Sequence, residues 1–136
     1  MSLGVGLYVK NSREAVKLYQ AAFGAELGYH VLNEDGGYFH SELMVDGDPL
    51  VSVCEAGDAI EPRGNPVELG VFFQTREEVD RAFSLLRQGA HIIMEPKQLP
   101  WSPWAACLVD RFGVRWFLSL IIVRRKILSP EMNNKV

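Results

Sequence analysis

The pattern of apolar residues along the chain predicts a short strand followed by a helix, and it does so twice. Apolar positions alternate over 5–9 and then recur at spacings of three and four over 15–22. The same succession returns 64 residues later, over 69–73 and 79–86. Alternation is typical of a strand with one buried face, and the longer spacing is typical of an amphipathic helix. The chain therefore contains an internal repeat.

Polar residues and glycines mark the predicted ends of both helices. Asn11 precedes Glu14 by three residues, and Thr75 precedes Glu78 by three. This is the spacing of a capping box, in which side chains bond the free N–H groups of the first turn. A glycine then follows each helix, as expected of a C-terminal cap; the two are Gly24 and Gly89.

Each repeat ends in a predicted hairpin. Val45-Asp46 and Val109-Asp110 lie at turns that contain Asp and Gly between alternating apolar runs, and they are again 64 residues apart. Such turns join antiparallel strands. Each repeat thus has the order strand–helix–strand–strand–strand, or βαβββ.

The predicted fold is a single α+β domain over 1–136 in which two tandem βαβββ modules form a curved mixed sheet around a central cavity. One helix covers the outer face of each module, and the concave faces enclose the ligand site. The expected boundaries are module one at 4–54, a linker rich in Gly, Pro and charge at 55–66, module two at 67–121 and a C-terminal extension at 122–136.

Composition excludes some classes of function. The 136 residues carry a net charge of −3, with 48% hydrophobic and 23% charged residues, so no global positive charge favours nucleic acid. No apolar run approaches the roughly 18 residues that a membrane span needs. The two cysteines, Cys54 and Cys107, lie in apolar strands and are expected to be reduced core thiols. These features predict a cytoplasmic protein without a nucleic-acid or membrane partner.

The strand over 38–45 carries the first candidate ligand-binding residues. If its more apolar set packs on the helix, Tyr38, His40 and Glu42 point into the concavity. A His and a Glu two residues apart on one face can share a proton or a bound ligand. The alternative is a polar pair that only satisfies itself on the sheet.

Two tryptophans lie in a loop interrupted by prolines. Trp101 and Trp104 precede a predicted strand, and aromatic side chains in such loops cap pockets and stack on flat ligands. We therefore expect both to border the cavity. The alternative is that they anchor a long loop to the core.

Several segments together resemble a known family. "NSREAVKLYQAAFGAEL" (11–27), "FHSELMVDGDPLV" (39–51), "EEVDRAFSLLRQGA" (77–90) and "WAACLVDRFGVRWFLS" (104–119) are similar to the PhnB-like branch of the vicinal oxygen chelate superfamily. That superfamily includes glyoxalase I, bleomycin-resistance proteins and extradiol dioxygenases. The resemblance implies paired βαβββ modules and a homodimer, in which the partner's module sometimes completes each cavity. The branch is sometimes labelled methyltransferase-like, but the chain has no glycine-rich nucleotide-binding loop after a strand.

Enzymes of the superfamily bind a divalent metal through the first and last strands of each module. Those positions fall here at Gly4, Val53, Glu68 and Phe117, with Glu55 two residues after Val53. No histidine and at most two carboxylates remain, so we expect no cofactor beyond a weak divalent metal held by Glu55 and Glu68.

The resulting hypothesis is a metal-free protein that binds a small organic ligand in its central cavity, as antibiotic-sequestering relatives do. The alternative is an enzyme with lyase, isomerase or dioxygenase-type chemistry. It would use either a carboxylate-bound divalent metal or the His40/Glu42 pair.

Overall fold

The computed structural model describes residues 1–57 and 67–121, which form two βαβββ modules. Module one contains β1 Gly6–Val9, α1 Ser12–Phe23, β2 Glu26–Leu32, β3 Tyr38–Val45 and β4 Asp48–Glu55. Module two contains β5 Leu69–Phe73, α2 Arg76–Leu86, β6 His91–Leu99, β7 Ser102–Val109 and β8 Arg115–Leu120. Most of the predicted linker and the whole C-terminal extension lie outside the described residues.

The two sheets have the same topology, so the predicted repeat is confirmed. Their strand orders are β1-β4-β3-β2 and β5-β8-β7-β6. The first strand of each module runs parallel to the last, and the remaining neighbours are antiparallel. A helix packs on one face of each sheet, because α1 contacts the strands of module one and α2 those of module two.

The helices start in different ways. Thr75 forms the predicted capping box with Glu78. The box predicted at Asn11 is wrong, because Asn11 has a left-handed backbone (φ 58°) and its side chain caps nothing. The Glu55 carboxylate caps α1 instead, accepting from the Asn11 and Ser12 N–H groups at 3.1 and 2.9 Å and from the Ser12 hydroxyl at 2.8 Å. Glu55 is also the last residue of β4, so it belongs to module one and not to the predicted linker.

The helix ends also differ. Gly24 is the C-cap of α1 with φ 65°, as predicted. Helix α2 ends at Leu86 with Arg87 as its cap, so Gly89 lies in the following turn and not at the helix end. Its φ of 72° still requires a residue that tolerates the left-handed region.

The two modules are joined through their helices and an aromatic cluster. Helix α1 contacts α2, and Tyr19 and Phe23 of α1 pack against Trp116 of β8 with ring centroids 5.3 and 4.8 Å apart. Phe23 also contacts Phe73 of β5. These side chains are buried, so the modules share one hydrophobic core.

A buried carboxylate lies at the centre of this junction. Asp110 is 4% exposed, and its Oδ2 accepts from the Tyr19 hydroxyl at 2.6 Å and from Trp116 Nε1 at 2.8 Å. Its Oδ1 accepts from the backbone N–H groups of Phe112 and Val114. Asp110 thus folds the β7–β8 turn and ties module one to module two.

The sheet faces opposite the helices are not paired with one another within the chain. Across the described ranges, no hydrogen-bonded pairing joins the two sheets, and the depression on each of these faces is lined by residues of one module alone. We call these the open face of module one (Gly6, His40, Glu42, Ser52) and the open face of module two (Glu68, Cys107, Arg115, Phe117). Each has a depression of its own, described below.

The cysteines and the helices bear on two further sequence expectations. Cys54 and Cys107 are buried free thiols, as predicted. Among the described helices, neither is long and apolar enough to cross a membrane.

Candidate functional site

The depression on the open face of module one is centred on a histidine–glutamate pair. His40 and Glu42 are two residues apart on β3, and His40 Nε2 lies 2.8 Å from Glu42 Oε2. Their side chains are 35% and 42% exposed, so both can be reached from solvent. The depression has a volume of about 380 Å³ and is also lined by Gly4, Met44 and Ser52. The predicted juxtaposition of His40 and Glu42 is therefore present.

Glycines leave two positions of this face without side chains. A Cβ at Gly6 would lie 3.2 Å from Ser52 Oγ, and a Cβ at Gly28 would lie 3.0 Å from Met44 Cγ. Contacts this short require the neighbouring side chain to move. Gly6 itself lines the depression, so its lack of a side chain preserves space beside the His40–Glu42 pair.

Tyr38 does not share this face, contrary to the sequence prediction. The β2–β3 pairing steps from Val31–His40 to Leu32–Tyr38, so Phe39 is an extra residue on β3. A bulge of this kind shifts the alternation on its two sides out of phase. Tyr38 therefore turns into the core and is 6% exposed, whereas Phe39 is 68% exposed.

The depression on the open face of module two is centred on an ion pair. Arg115 Nε donates to Glu68 Oε2 at 2.8 Å, and the Cys107 thiol donates to the same oxygen at 3.0 Å. Trp101 and Phe117 line the same depression, whose volume is about 320 Å³. Trp101 is 59% exposed, so its ring is accessible.

The protonation states of this cluster follow from its surroundings. Burial alone would raise the pKa of the Glu68 carboxyl, but hydrogen bonds from Arg115 and Cys107 outweigh it and lower that pKa. Burial and the neighbouring Glu68 raise the pKa of the Cys107 thiol to about 12. At neutral pH Glu68 is ionised, Arg115 is charged and Cys107 is a neutral donor that does not act as a nucleophile.

Trp104 lies on the helix side of the sheet, away from Trp101. Its Nε1 donates to Asp80 Oδ1 of α2 at 2.8 Å, and the Arg76 guanidinium lies 4.4 Å from its ring centroid. The expectation that both tryptophans border one cavity is therefore wrong. Trp104 follows the alternative interpretation, in which it anchors its segment to the protein.

The family's metal positions do not fit a metal here. Gly6 pairs with Ser52 and Gly70 pairs with Phe117, so the module-one counterpart of Phe117 is Ser52. The prediction of Val53 was wrong because the repeat is one residue longer in module two by this point, 117 − 52 = 65. Val53 is fully buried on the helix side.

The donor set at these positions is accordingly poor. It consists of glycine at 4, serine at 52, phenylalanine at 117 and Glu68, whose carboxylate is already held by Arg115 and Cys107. Glu55 caps α1, so the two carboxylates of the expected weak metal site have separate partners in different modules. Within 1–57 and 67–121, no three His, Cys, Asp or Glu side chains are placed to hold a metal ion.

The space shared by the two modules differs from the predicted cavity. A cleft of about 640 Å³ lies between them, but loops and strand ends around Asn11, Glu14, His91 and Arg111 line it. The two open faces do not enclose it. Within one chain, each open face forms only one wall of a possible ligand site.

Arg115 and Cys107 were missed as site residues by the sequence analysis. The signal was present, because Arg115 and Phe117 alternate with the buried Trp116 and Leu118. Alternation therefore places Arg115 on the face of Phe117, beside the first-strand residue Glu68.

Comparison with known proteins defines the class of this fold. The PhnB protein from Bacillus cereus, described as a putative 3-demethylubiquinone-9 3-methyltransferase, superposes with a TM-score of 0.75 and 22% identity, covering 89% of this chain and 100% of that chain. Protein PA1353 from Pseudomonas aeruginosa gives a TM-score of 0.72 and 21% identity over 88% of this chain and 98% of that chain. The fosfomycin resistance protein FosX from Listeria monocytogenes gives a TM-score of 0.66 and 16% identity, covering 93% of this chain and 94% of that chain. Identities this low show a common fold.

The family itself is shown by sequence. The model of the Glyoxalase/Bleomycin resistance protein/Dioxygenase superfamily matches residues 3–118, and the chain belongs to this superfamily. No curated protein matches the chain.

Proposed function

We propose that this protein binds a small organic ligand, without a metal, in a cavity that two copies of the chain build together. The observation that carries the proposal is the pair of open faces. Each bears polar groups beside apolar surface, and the depression on each is lined by residues of one module only. The open face of module one in one copy would meet the open face of module two in the other.

Exposed aromatic residues support a homodimer. Tyr8 alternates with the buried Val9 and is 60% exposed, and Phe72 alternates with the buried Phe73 and is 50% exposed. Both therefore lie on open faces. Exposed aromatic rings favour association, because a facing sheet would remove them from water.

The poor donor set at the family's metal positions within residues 1–57 and 67–121 supports binding over metal-dependent catalysis. Histidine nitrogen is the usual ligand of zinc, nickel and iron at such sites, and neither Gly4 nor Phe117 offers a donor atom.

We also place the protein in the cytoplasm, because Cys54 and Cys107 are both free thiols.

A second candidate function rests on the His40–Glu42 hydrogen bond. A histidine held 2.8 Å from a carboxylate in an accessible depression can take up or deliver a proton. This arrangement suits a lyase or an isomerase that moves a proton on its substrate. In that case His40→Gln would abolish turnover of the identified ligand and leave its binding intact.

Native mass spectrometry of freshly purified protein tests the main proposal. We expect a dimer that carries a small organic molecule, and elemental analysis should find no stoichiometric zinc, nickel or iron. A monomer that binds no small molecule, or one equivalent of such a metal per chain, would overturn the proposal.

A mixing experiment tests whether two copies share each cavity. His40→Ala damages only module one and Arg115→Gln damages only module two. In a mixed dimer one cavity would receive both damaged faces, and the other would receive two intact faces. Equal mixing makes about half of the dimers mixed, and one cavity of each mixed dimer is intact, so binding should return to about one quarter of all cavities. A cavity built within one chain would show no recovery.

A further inference from the structure

We propose that the depression on the open face of module two selects an uncharged, flat ligand whose edge carries a hydrogen-bond acceptor beside a hydrogen-bond donor. Primary amides and lactams have this edge. The inference rests on the proposed function, since it names the chemical class that the shared cavity would take.

The polar groups of the depression offer one free donor group and one free acceptor. Arg115 Nε and the Cys107 thiol both bond to Oε2 of Glu68. Within the described residues, no donor reaches Glu68 Oε1 and no acceptor reaches the terminal nitrogens of Arg115. The side chains of Arg115 and Glu68 are 33% and 35% exposed, so these remaining atoms are accessible to a ligand.

The charge of the pair disfavours ionic ligands. Arg115 and Glu68 are in direct contact, and their charges sum to zero. A carboxylate bound to Arg115 would come close to Glu68 Oε1, and an ammonium bound to Glu68 would come close to Arg115. Either arrangement combines like-charge repulsion with desolvation of the ligand's charge. A neutral amide avoids both costs and can pair with both residues.

The remaining walls favour a flat apolar body. The Trp101 ring is 59% exposed, and Phe117 and Leu99 line the same space. Aromatic side chains that are exposed in this way stack on ligand rings. The volume of about 320 Å³ suits one or two rings, at the lower end of small-molecule sites.

Four probes of similar size and different edges test the inference: benzamide, acetophenone, benzoate and benzylammonium. Binding to the full-length protein is measured by saturation-transfer NMR. We expect benzamide to bind about tenfold more tightly than either ion, since each ion loses one hydrogen bond to a charged group. Acetophenone, which has only an acceptor, should bind with an affinity between that of benzamide and those of the ions. Benzoate or benzylammonium binding as tightly as benzamide would overturn the inference.

Two variants sharpen the test by removing one charge at a time. Glu68→Gln leaves Arg115 unbalanced and should shift the preference toward benzoate. Arg115→Gln leaves Glu68 unbalanced and should shift it toward benzylammonium. Glu95→Gln is the matched control, because Glu95 pairs with Arg87 outside the depression. Preferences that stay unchanged in both variants would show that the ion pair does not select the ligand.

The outcomes separate the two proposals. If the native protein carries an ionic ligand whose binding does not depend on Arg115 or Glu68, the selectivity inference fails and the proposed function stands. If no copurified molecule and no probe binds to the dimer, both fail. Loss of benzamide binding in Trp101→Ala would place the probe in this depression, and unchanged binding would exclude it from there.

Discussion

Removing the hydroxyl of Tyr19 is the cleanest perturbation of the junction between the modules. Tyr19 is fully buried, and its hydroxyl donates to Asp110 Oδ2 at 2.6 Å. Tyr19→Phe deletes that hydrogen bond and leaves the ring contacts with Trp116 and Phe23 in place. A hydrogen bond to a buried carboxylate contributes about 1.5–3 kcal/mol, so we expect the free energy of unfolding to fall by that amount.

Urea denaturation followed by tryptophan fluorescence measures the loss. Tyr29→Phe is the matched control, because Tyr29 is 66% exposed and its substitution should change stability by less than about 0.5 kcal/mol. If the two variants lose equal amounts of stability, the Tyr19–Asp110 hydrogen bond does not hold the modules together.

The same bond predicts a pH dependence with a definite sign. Burial, followed by the charge of Asp110, raises the pKa of the Tyr19 hydroxyl well above its ordinary value of 10.0. The hydroxyl therefore ionises in the unfolded chain at a lower pH than in the folded protein. The stability that Tyr19 contributes is fully present below pH 10 and is lost as the pH rises above it. The difference in unfolding free energy between wild type and Tyr19→Phe should therefore shrink above pH 10.

Three further predictions concern the other sites. Glu55→Gln should cost about 1 kcal/mol in urea denaturation, because it weakens the cap of α1, and Thr75→Ala should cost a similar amount at α2. Trp104→Ala should lower the unfolding free energy by about 3 kcal/mol and leave ligand affinity unchanged, since Trp104 packs on α2. Trp101→Ala should weaken ligand affinity and leave the unfolding free energy nearly unchanged. Isothermal titration with the identified ligand distinguishes the two variants. Sedimentation equilibrium at micromolar concentration should find a dimer, and a Tyr8→Asp/Phe72→Asp double variant should shift it toward monomer.

The architecture was predictable because the periodicity of the chain is strong. The helices, the hairpin turns and the repeat follow from apolar spacing that each module expresses independently. The same alternation on β8 also indicates that Arg115 lies on the face of Phe117. The His40–Glu42 pair was equally predictable, since two residues apart on a strand means one face.

The errors arose where one extra residue or one long-range contact decides the outcome. The bulge at Phe39 turns Tyr38 into the core, and no local pattern indicates it. The offset of 64 residues placed the expected metal-ligand position at Val53. Module two is one residue longer by this point, so the true counterpart of Phe117 is Ser52. Asn11 lost its capping role to Glu55, which is 44 residues away in sequence. Contacts of that kind depend on tertiary structure and are not encoded in short-range spacing.

The junction also has a consequence for how the two halves of the repeat relate to one another. Position 83 of module two corresponds to Tyr19, and it is phenylalanine, which has no hydroxyl to donate. Position 46 of module one corresponds to Asp110, and that aspartate is exposed rather than buried. A protein made of two copies of module two would therefore lack the hydroxyl of the Tyr19–Asp110 pair, whereas two copies of module one would keep a tyrosine and an aspartate at these positions. The halves are duplicates in topology but differ in chemistry at the junction, so module two cannot take the place of module one.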